Sequence, residues 1–569
     1  MSRRIVECVP NISEGRNRSV IDAVVKAAAV KGATVLDVDP GAATNRTVIT
    51  IAGEPEAVME SAFRLIEKAG QLIDMRAQQG AHPRHGATDV CPFVPVSGLS
   101  MDDCVNMARR LGERVGRELG IPVYLYEYAS FRDNLRKLPD IRAGEYEALK
   151  DKLGREEWKP DFGPNRWDDS VARTGVCTIG ARNFLIAYNV NVNSRDTSIA
   201  REVALTIRDS GRPARTRDWK FARDGKGAKI HTRGRLECCK ATGWYIEEYG
   251  TSQVTMNLTD ISVTPLHTAF EVTREEVGKL GGVVTGSEIV GLVPLSSMLE
   301  AGRFYLEKQN EGLSGVGKQA VTTGLPEKDL VEIAVRSMGL REVAPFEPRE
   351  KIIEYMVRDD SVNLSGSTCR DFCDQLSTDS PAPGGGSAAA LAGALASALV
   401  SMVANLTVKN RNYRESWSEM RRIAPRAQEI KENLLSAIDD DTRAFNGWME
   451  AARSGGDVQS AVREAVEVPL RVLGLSLETA VMADAVAERG MQASVSDAGV
   501  AASAARTAAE GACLNVLINL GEVDDPDYRD RVKAEALGLL EETVKASSGT
   551  LAKVMASLEK GRAPMEEQE

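Results

Sequence analysis

Strand-like patterning stops near residue 366. Upstream, short runs such as RIVECVPNI, TVLDVDP, RTVITIAG and IPVYLYEYA interleave with helical stretches such as SVIDAVVKAAAVKG and EAVMESAFRLIEKAGQLID. Downstream the sequence is almost continuous helix former. A repeat of about 2 lines one face of a sheet and a repeat of about 3.6 lines one stripe of a helix, so a lasting change of period is a change of architecture. The chain therefore divides into an α+β half followed by an all-α helical bundle. At 569 residues it is too long for one hydrophobic core, and a prior of about 150 residues per domain predicts roughly three or four packing units.

The first unit is expected to cover residues 1–184, and a second, opening with the strand-like FLIAYNVNVNS, residues 185–357. Within the second, REVALTIRDSG reads as helix, QVTMNLTDISVTP as strand, and the Arg-, Lys- and Gly-rich stretch 211–240 as a long solvated insertion without a catalytic role. Residues 358–365 read as a polar linker, 366–569 as the bundle, and the tail beyond about 561 as frayed. The stretch 380–408 holds no charged residue and is long enough to cross a bilayer. Its Ala, Gly and Ser content, and the amphipathic sequence that follows, predict a close-packed buried helix instead. Acidic residues outnumber basic ones by 82 to 71, a net charge of -11 that works against general affinity for nucleic acid or anionic membrane. The nine cysteines are scattered and lack CxxC pairs, and MSRRIVECVPNISEG has no signal-peptide apolar run, so a reducing cytoplasm is expected.

Four histidines occur, and two of them, His82 and His85, stand together in GAHPRHGATDV. Imidazole titrates nearest neutral pH and a loop bounded by Gly and Pro presents it rigidly, which points to general acid–base work. A loop histidine with purely local hydrogen bonds is the structural alternative. The HxxH pair has no evident third ligand, so no metal is expected. LDVDPGAATNRTV sets Asp37, Asp39, Asn45 and Arg46 after a strand, a carboxylate, amide and guanidinium suited to orienting a polar substrate. FGPNRWDDSVARTGVCTIGAR, with three glycines and three arginines, suits anion contacts, and ordinary turn chemistry explains it equally well.

In ENLLSAIDDDTRAFNGWME, Leu434, Ile438, Phe445 and Trp448 form an apolar helical stripe, and Asp441 falls on it. Asp439 and Asp440 are expected to project elsewhere, leaving Asp441 as the carboxylate that faces the bundle interior. Burial there raises a carboxyl pKa and makes a proton donor or acceptor, with a structural hydrogen bond as the alternative. Upstream, PAPGGGS puts Gly385, Gly386 and Ser387 at a helix N-terminus, whose free N–H groups either meet a polar ligand or simply form a cap and turn.

Taken in order along the chain, IVECVPNISEG, LDVDPGAATNRTV, GAHPRHGATDVCPFVPV, LPDIRAGEYEAL, DFGPNR, GARNFLIAYNVN, VGLVPL, IIEYMV, PAPGGGSAAA and NVLINL resemble the bifunctional formimidoyltransferase-cyclodeaminase family of histidine breakdown. The resemblance implies two ferredoxin-like subdomains, a linker and a helical cyclodeaminase. It implies transfer of a formimino group from N-formimino-L-glutamate to N5 of tetrahydrofolate, in its simple or polyglutamylated form, then cyclisation to 5,10-methenyltetrahydrofolate with loss of ammonia. His82 matches the transferase base and Asp441 the cyclodeaminase acid. The family's folate-binding loop matches Gly163, Pro164, Asn165, Arg166, Trp167, Asp168, Asp169, Ser170, Val171, Ala172, Arg173, Thr174 and Gly175, although the segment here is longer than the family pattern. Asp39, Asn45, Arg46, Gly385, Gly386 and Ser387 complete the expected binding residues. A homo-oligomeric ring, of which an octamer is one form, is also implied. The rival enzyme reading is a formyl-donor transferase joined to a methenyltetrahydrofolate cyclohydrolase, and the non-enzymatic rival makes the helical half an oligomerisation module only.

Overall fold

The computed structural model describes residues 4–316, 323–357 and 363–560. Two compact units emerge: Met1–Ala301 with Ala334–Arg358, and Gly302–Ile333 with Asp359–Glu569. In the first, β1 (Ile5–Cys8), β2 (Asn11–Ile12), α1 (Arg18–Ala27), β3 (Ala33–Gly41), β4 (Arg46–Gly53), α2 (Pro55–Leu72) and β5 (Thr88–Ser97) are followed by α3 (Met101–Arg114), β6 (Val123–Glu127) and β7 (Cys177–Ala181). They build a seven-stranded sheet in which β3, β4, β1 and β5 run antiparallel, while β5, β7 and β6 run parallel. Helix α3 starts three residues before Cys104 because Ser100 and Asp103 cap it reciprocally, with Ser100 N–H donating to the Asp103 carboxylate at 2.9 Å and Asp103 N–H donating to Ser100 Oγ at 3.2 Å. One sheet face buries Cys8, Ile49, Ile51, Phe93 and Leu125 with Leu65, Ile66 and Leu111 of the helices, at roughly 1.5–3 kcal/mol per large side chain. Tyr124 and Tyr126 instead pack into a second cluster with Leu135, Ile141, Leu149 and Val171, which seats the segment 135–175.

The next portion runs β8 (Ile186–Val192), α4 (Ser198–Ile207), β9 (Cys239–Ile246), β10 (Thr251–Leu258), α5 (Leu266–Lys279) and β11 (Val284–Val290). Its four-stranded sheet has the order β9-β10-β8-β11, every neighbouring pair antiparallel. Two local expectations change here. QVTMNLTDISVTP is strand only as far as Leu258, because Asp260 Oδ1 accepts from Ser262 N at 3.0 Å and turns the chain toward α5. The stretch 211–240 is exposed as expected but is not irregular: Arg212–Pro213 pairs with His231–Thr232, Arg215 with Phe221 and Arg223 with Lys229, and Phe221 lies 4.7 Å from the Arg215 guanidinium.

The second unit is helical: α6 (Gly385–Val408), α7 (Trp417–Ser454), α8 (Val458–Arg489), α9 (Val495–Leu520) and α10 (Pro526–Lys560). Among the described residues α6 is the one helix apolar and long enough to cross a membrane, yet 61% of its most apolar window is buried inside the protein. Small side chains explain its seat. A Cβ on Gly393 would lie 3.1 Å from Leu434 and 3.3 Å from Ala508, so α6, α7 and α9 meet at near-backbone distance. Of the expected linker, 358–362 lies outside the described residues, as does the tail from 561. Its end is anchored, since Leu364 is buried in the bundle core.

Candidate active sites

Three loops interlock around His82. Asn45, at φ 50°, accepts from Gly15 N at 3.0 Å and donates to Gln79 O at 2.9 Å, so its amide is spent on backbone rather than offered to a ligand. A Cβ on Gly15 would sit 2.5 Å from Gly41 O and 2.6 Å from Arg46 N, which requires glycine in the turn. Asp37 and Asp39 lie within β3 rather than after it, because the strand continues to Gly41 in register with β4, and both are exposed.

The His82 ring is half-buried, and its Nδ1 lies 2.7 Å from Pro83 O. A carbonyl only accepts, so Nδ1 carries the proton and Nε2 keeps its lone pair. Arg46 Nη1 contacts both ring nitrogens, at 3.0 Å from Nδ1, and donates toward the Nε2 lone pair. Burial first, then the Arg46 charge, holds the ring below the ordinary histidine pKa, which keeps it a free base at neutral pH. His85 faces away: it is 1% exposed, contacts Thr178 Oγ1 at 2.8 Å, and burial lowers its pKa too. Its backbone N–H and Arg142 both donate to the fully buried Asp89.

The segment 163–175 is not a continuous loop. Asp168 caps a helix, Asp169–Thr174, accepting from Val171 N at 3.0 Å; Val171 is buried in the cluster beneath, and Ala172 is buried too. The sequence missed this because the helix is a single short stretch flanked by Gly163 and Gly175. Trp167 packs against Tyr146 at 5.7 Å, Asn165 accepts from Gly154 N at 3.0 Å, and Arg166 pairs with Asp168 at 3.0 Å. Gly163 and Gly175 adopt φ 81° and 66°; Ser170 and Thr174 bond within the helix, Arg173 reaches Gln71 O, and Pro164 is half-buried. Gly175 presses on the His82 loop, where Val176 N donates to His85 O at 3.0 Å and Ala87 N to Thr174 O at 2.7 Å. The structure thus brings His82, Arg46 and the 163–175 segment to one region of the first unit.

The second site lies in the bundle. Ser387 Oγ donates to Asp441 Oδ2 at 3.0 Å and also lies 3.0 Å from Ile438 O. Burial raises the Asp441 pKa, while the Ser387 hydroxyl and N–H pull it back. Helix α6 is capped by Gly384, not by Ser387, and its first turn lies against Asp441: a Cβ on Gly386 would overlap the carboxylate, and one on Gly385 would be 3.3 Å from Asn515. A cleft of about 540 Å³, lined by Ser380, Pro381, Phe445 and Met449, lies farther along α7; its lining does not include Asp441, which is one helical turn before Phe445.

The neighbouring carboxylates do not point away as the stripe implied. Asp439, 3% exposed, accepts from Leu364 N at 2.8 Å, Ser365 N at 3.2 Å and Ser365 Oγ at 2.5 Å, while Asp440 pairs with Arg443 and Arg471 at 2.5 and 2.6 Å. A helix closely surrounded on several sides buries more than one stripe, and the pattern 434, 438, 445 described only one of them. Among the described residues no group of three His, Cys, Asp or Glu is arranged to hold a metal ion.

Residues 5–182 match the Formiminotransferase domain, N-terminal subdomain, 187–358 the Formiminotransferase domain, and 368–537 the Formiminotransferase-cyclodeaminase family. A formimidoyltransferase-cyclodeaminase of Rattus norvegicus is 41% identical over 553 residues, covering 95% of this chain and 96% of the relative. The chain belongs to the formiminotransferase-cyclodeaminase family. A glutamate formimidoyltransferase of Streptococcus pyogenes is 37% identical over 308 residues, 54% of this chain and 95% of its own. A methenyltetrahydrofolate cyclohydrolase of Methylorubrum extorquens is 35% identical over 186 residues, 31% of this chain and 89% of its own. Beside the two candidate sites, sequence reasoning passed over Asp89 and Arg142, whose charges act on His82, and Asn515 beside the α6 N-terminus. LPDIRAGEYEAL and NVLINL were the signals that contained Arg142 and Asn515.

Proposed function

We infer that the chain is a bifunctional folate enzyme: it transfers the formimino group of N-formimino-L-glutamate to N5 of tetrahydrofolate and then cyclodeaminates 5-formiminotetrahydrofolate to 5,10-methenyltetrahydrofolate and ammonia. The observation that carries the first step is the His82 ring, fixed by Pro83 O with Nε2 unprotonated. As N5 attacks the formimino carbon, Nε2 displaces Arg46 as its partner and takes the N5 proton. The imidazolium then returns that proton to the departing glutamate nitrogen, breaking the C–N bond of the tetrahedral intermediate. Arg46, next to the ring, stabilises the negative charge that builds on the formimino nitrogen as N5 adds to the carbon.

In the bundle, N10 attacks the formimino carbon already on N5, the formimino group reacting as its protonated amidinium. The Asp441 carboxylate takes the N10 proton and, as the carboxylic acid, gives it to the leaving nitrogen, which departs as ammonia. Its raised pKa places the two forms closer in energy than in an exposed carboxylate. Both steps are complete without a metal. The proposal includes two ferredoxin-like subdomains, supported by the βαββαβ order of the β8–β11 sheet, and the divisions 1–184, 185–357, 358–365 and 366–569. It also includes folate contacts along 163–175, polyglutamylated tetrahydrofolate as cosubstrate, a cytoplasmic homo-oligomer of octameric form, and binding roles for Asp39, Gly385 and Gly386.

Purified protein supplied with tetrahydrofolate and either N-formimino- or N-formyl-L-glutamate, with methenyl absorbance and ammonia followed together, tests the reading. Ammonia matched to methenyl product is expected only from the formimino donor. His82→Ala should lose at least about 10²-fold in transfer and keep cyclodeamination of added 5-formiminotetrahydrofolate, and Asp441→Asn should do the reverse. Full transfer by a folded His82→Ala protein would refute the first assignment.

A further inference from the structure

Arg142 has no part in the chemistry above, yet its guanidinium is held by Asp89 and is mostly buried. It follows the short helix Leu138–Ile141, and 12% of its side chain is exposed. Lys152 Nζ donates to the carbonyls of Ile141 and Ala143, on either side of Arg142, so the backbone that carries the guanidinium is clamped. Arg142 Nη2 pairs with Asp89, whose other oxygen accepts the His85 N–H at 3.1 Å, and Arg142 Nε is buried with no partner. Glu145 and Glu147, the next acids along the chain, are taken by Arg84, at 3.3 and 2.8 Å.

The charge count is unbalanced. Around His82 stand two guanidiniums, Arg46 and Arg142, and one buried carboxylate, Asp89, and both guanidinium charges act on the imidazole. His82 and His85 are both held toward the neutral form by burial, and the Lys152 charge acts on His85 as well. Tyr126, which shares this face, is kept protonated by burial. A partly desolvated excess of positive charge is costly, and a carboxylate ligand offsets it through a charge-assisted, fork-shaped contact. Both substrates of the transfer carry carboxylates, but those of tetrahydrofolate sit on its glutamate tail, remote from N5, whereas those of the small donor lie within a few bonds of the formimino carbon that must sit next to His82.

We propose that Arg142, together with Arg46, forms the subsite for a carboxylate of the N-formimino-L-glutamate donor, and that Asp89 and Lys152 hold it in place. The inference rests on the transferase reading given above. Arg142 is a binding residue, so its loss is felt in the donor's KM, whereas Asp89 and Lys152 position it.

The test is steady-state transfer by the full-length chain carrying Arg142→Gln or Arg142→Lys, with each substrate varied in turn and glutarate as a competitive probe. Arg142→Gln is expected to raise the donor KM at least tenfold and weaken glutarate inhibition by a similar factor, with the tetrahydrofolate KM changed less than twofold. Arg142→Lys, which keeps the charge and loses the fork, falls between; it also decides the matter if the Gln variant does not fold. Ammonia release from added 5-formiminotetrahydrofolate reports on the second unit in the same preparation. An unchanged donor KM, a rise confined to the tetrahydrofolate KM, or a fall in kcat alone overturns the proposal. Failure of the wild-type chain to use the donor at all is a different result, and overturns the transferase reading itself.

Discussion

Adding one methyl group at Gly386 should separate the two activities. An ideal Cβ there would lie 2.6 Å from Asp441 Cγ. Carbon atoms settle at about 3.5–4.0 Å, so the carboxylate must retreat by roughly 1 Å. The retreat breaks the 3.0 Å bond from Ser387 Oγ and moves Asp441 from its place beside the first turn of α6. A misplacement of about 1 Å in a reacting group costs on the order of 10²-fold in rate. Global unfolding is not the cause to expect: Ala is the better helix former by about 1 kcal/mol, which works against an overpacking cost of about 1–3 kcal/mol. Gly386→Ala should therefore lose about 10²-fold in ammonia release from 5-formiminotetrahydrofolate, with transfer from N-formimino-L-glutamate unchanged in the same sample. Cyclodeamination within threefold of wild type, in a folded protein, would falsify the claim that the position of Asp441 against the α6 N-terminus matters for turnover.

Two further outcomes follow from the geometry. Arg46 lowers the His82 pKa, so Arg46→Gln should raise it; because the base must be unprotonated, the acid limb of the transferase kcat profile moves to higher pH, and a limb that stays or moves down contradicts the assignment. Asp439→Ala removes a buried carboxylate from two backbone N–H groups and a hydroxyl, at a cost of roughly 2–4 kcal/mol, read from denaturant unfolding of the helical unit; a loss below about 1 kcal/mol would show that the anchor at Leu364 and Ser365 is dispensable.

Much of this protein was legible along the chain. The end of strand patterning near 366, the Ala- and Gly-rich buried helix and the alternation upstream are one-dimensional signals, because secondary structure follows local periodicity and small residues mark close helix contacts. His82 and Asp441 were also visible, one as a rare imidazole in a rigid loop and the other on an apolar stripe. What the stripe could not give was the environment of its neighbours. Asp439 is more buried than Asp441 because the segment at 364–365 folds back over it, a contact between residues about seventy-five apart. The helix hidden in 163–175 was likewise decided by its packing on Tyr124 and Leu149 rather than by its own six residues.

The sequence by itself determined where architecture changes and which side chains carry titratable chemistry, since both depend on residue type and local spacing. Only the tertiary structure decided the state of those side chains. His82 became a free base through burial and the Arg46 charge, Asn45 became a structural clamp, and Arg142 came to pair with Asp89, both charges acting on the ring. A pKa or a charge balance is set by every group within a few ångströms, whatever its distance along the chain, and that information is absent until the loops are folded together.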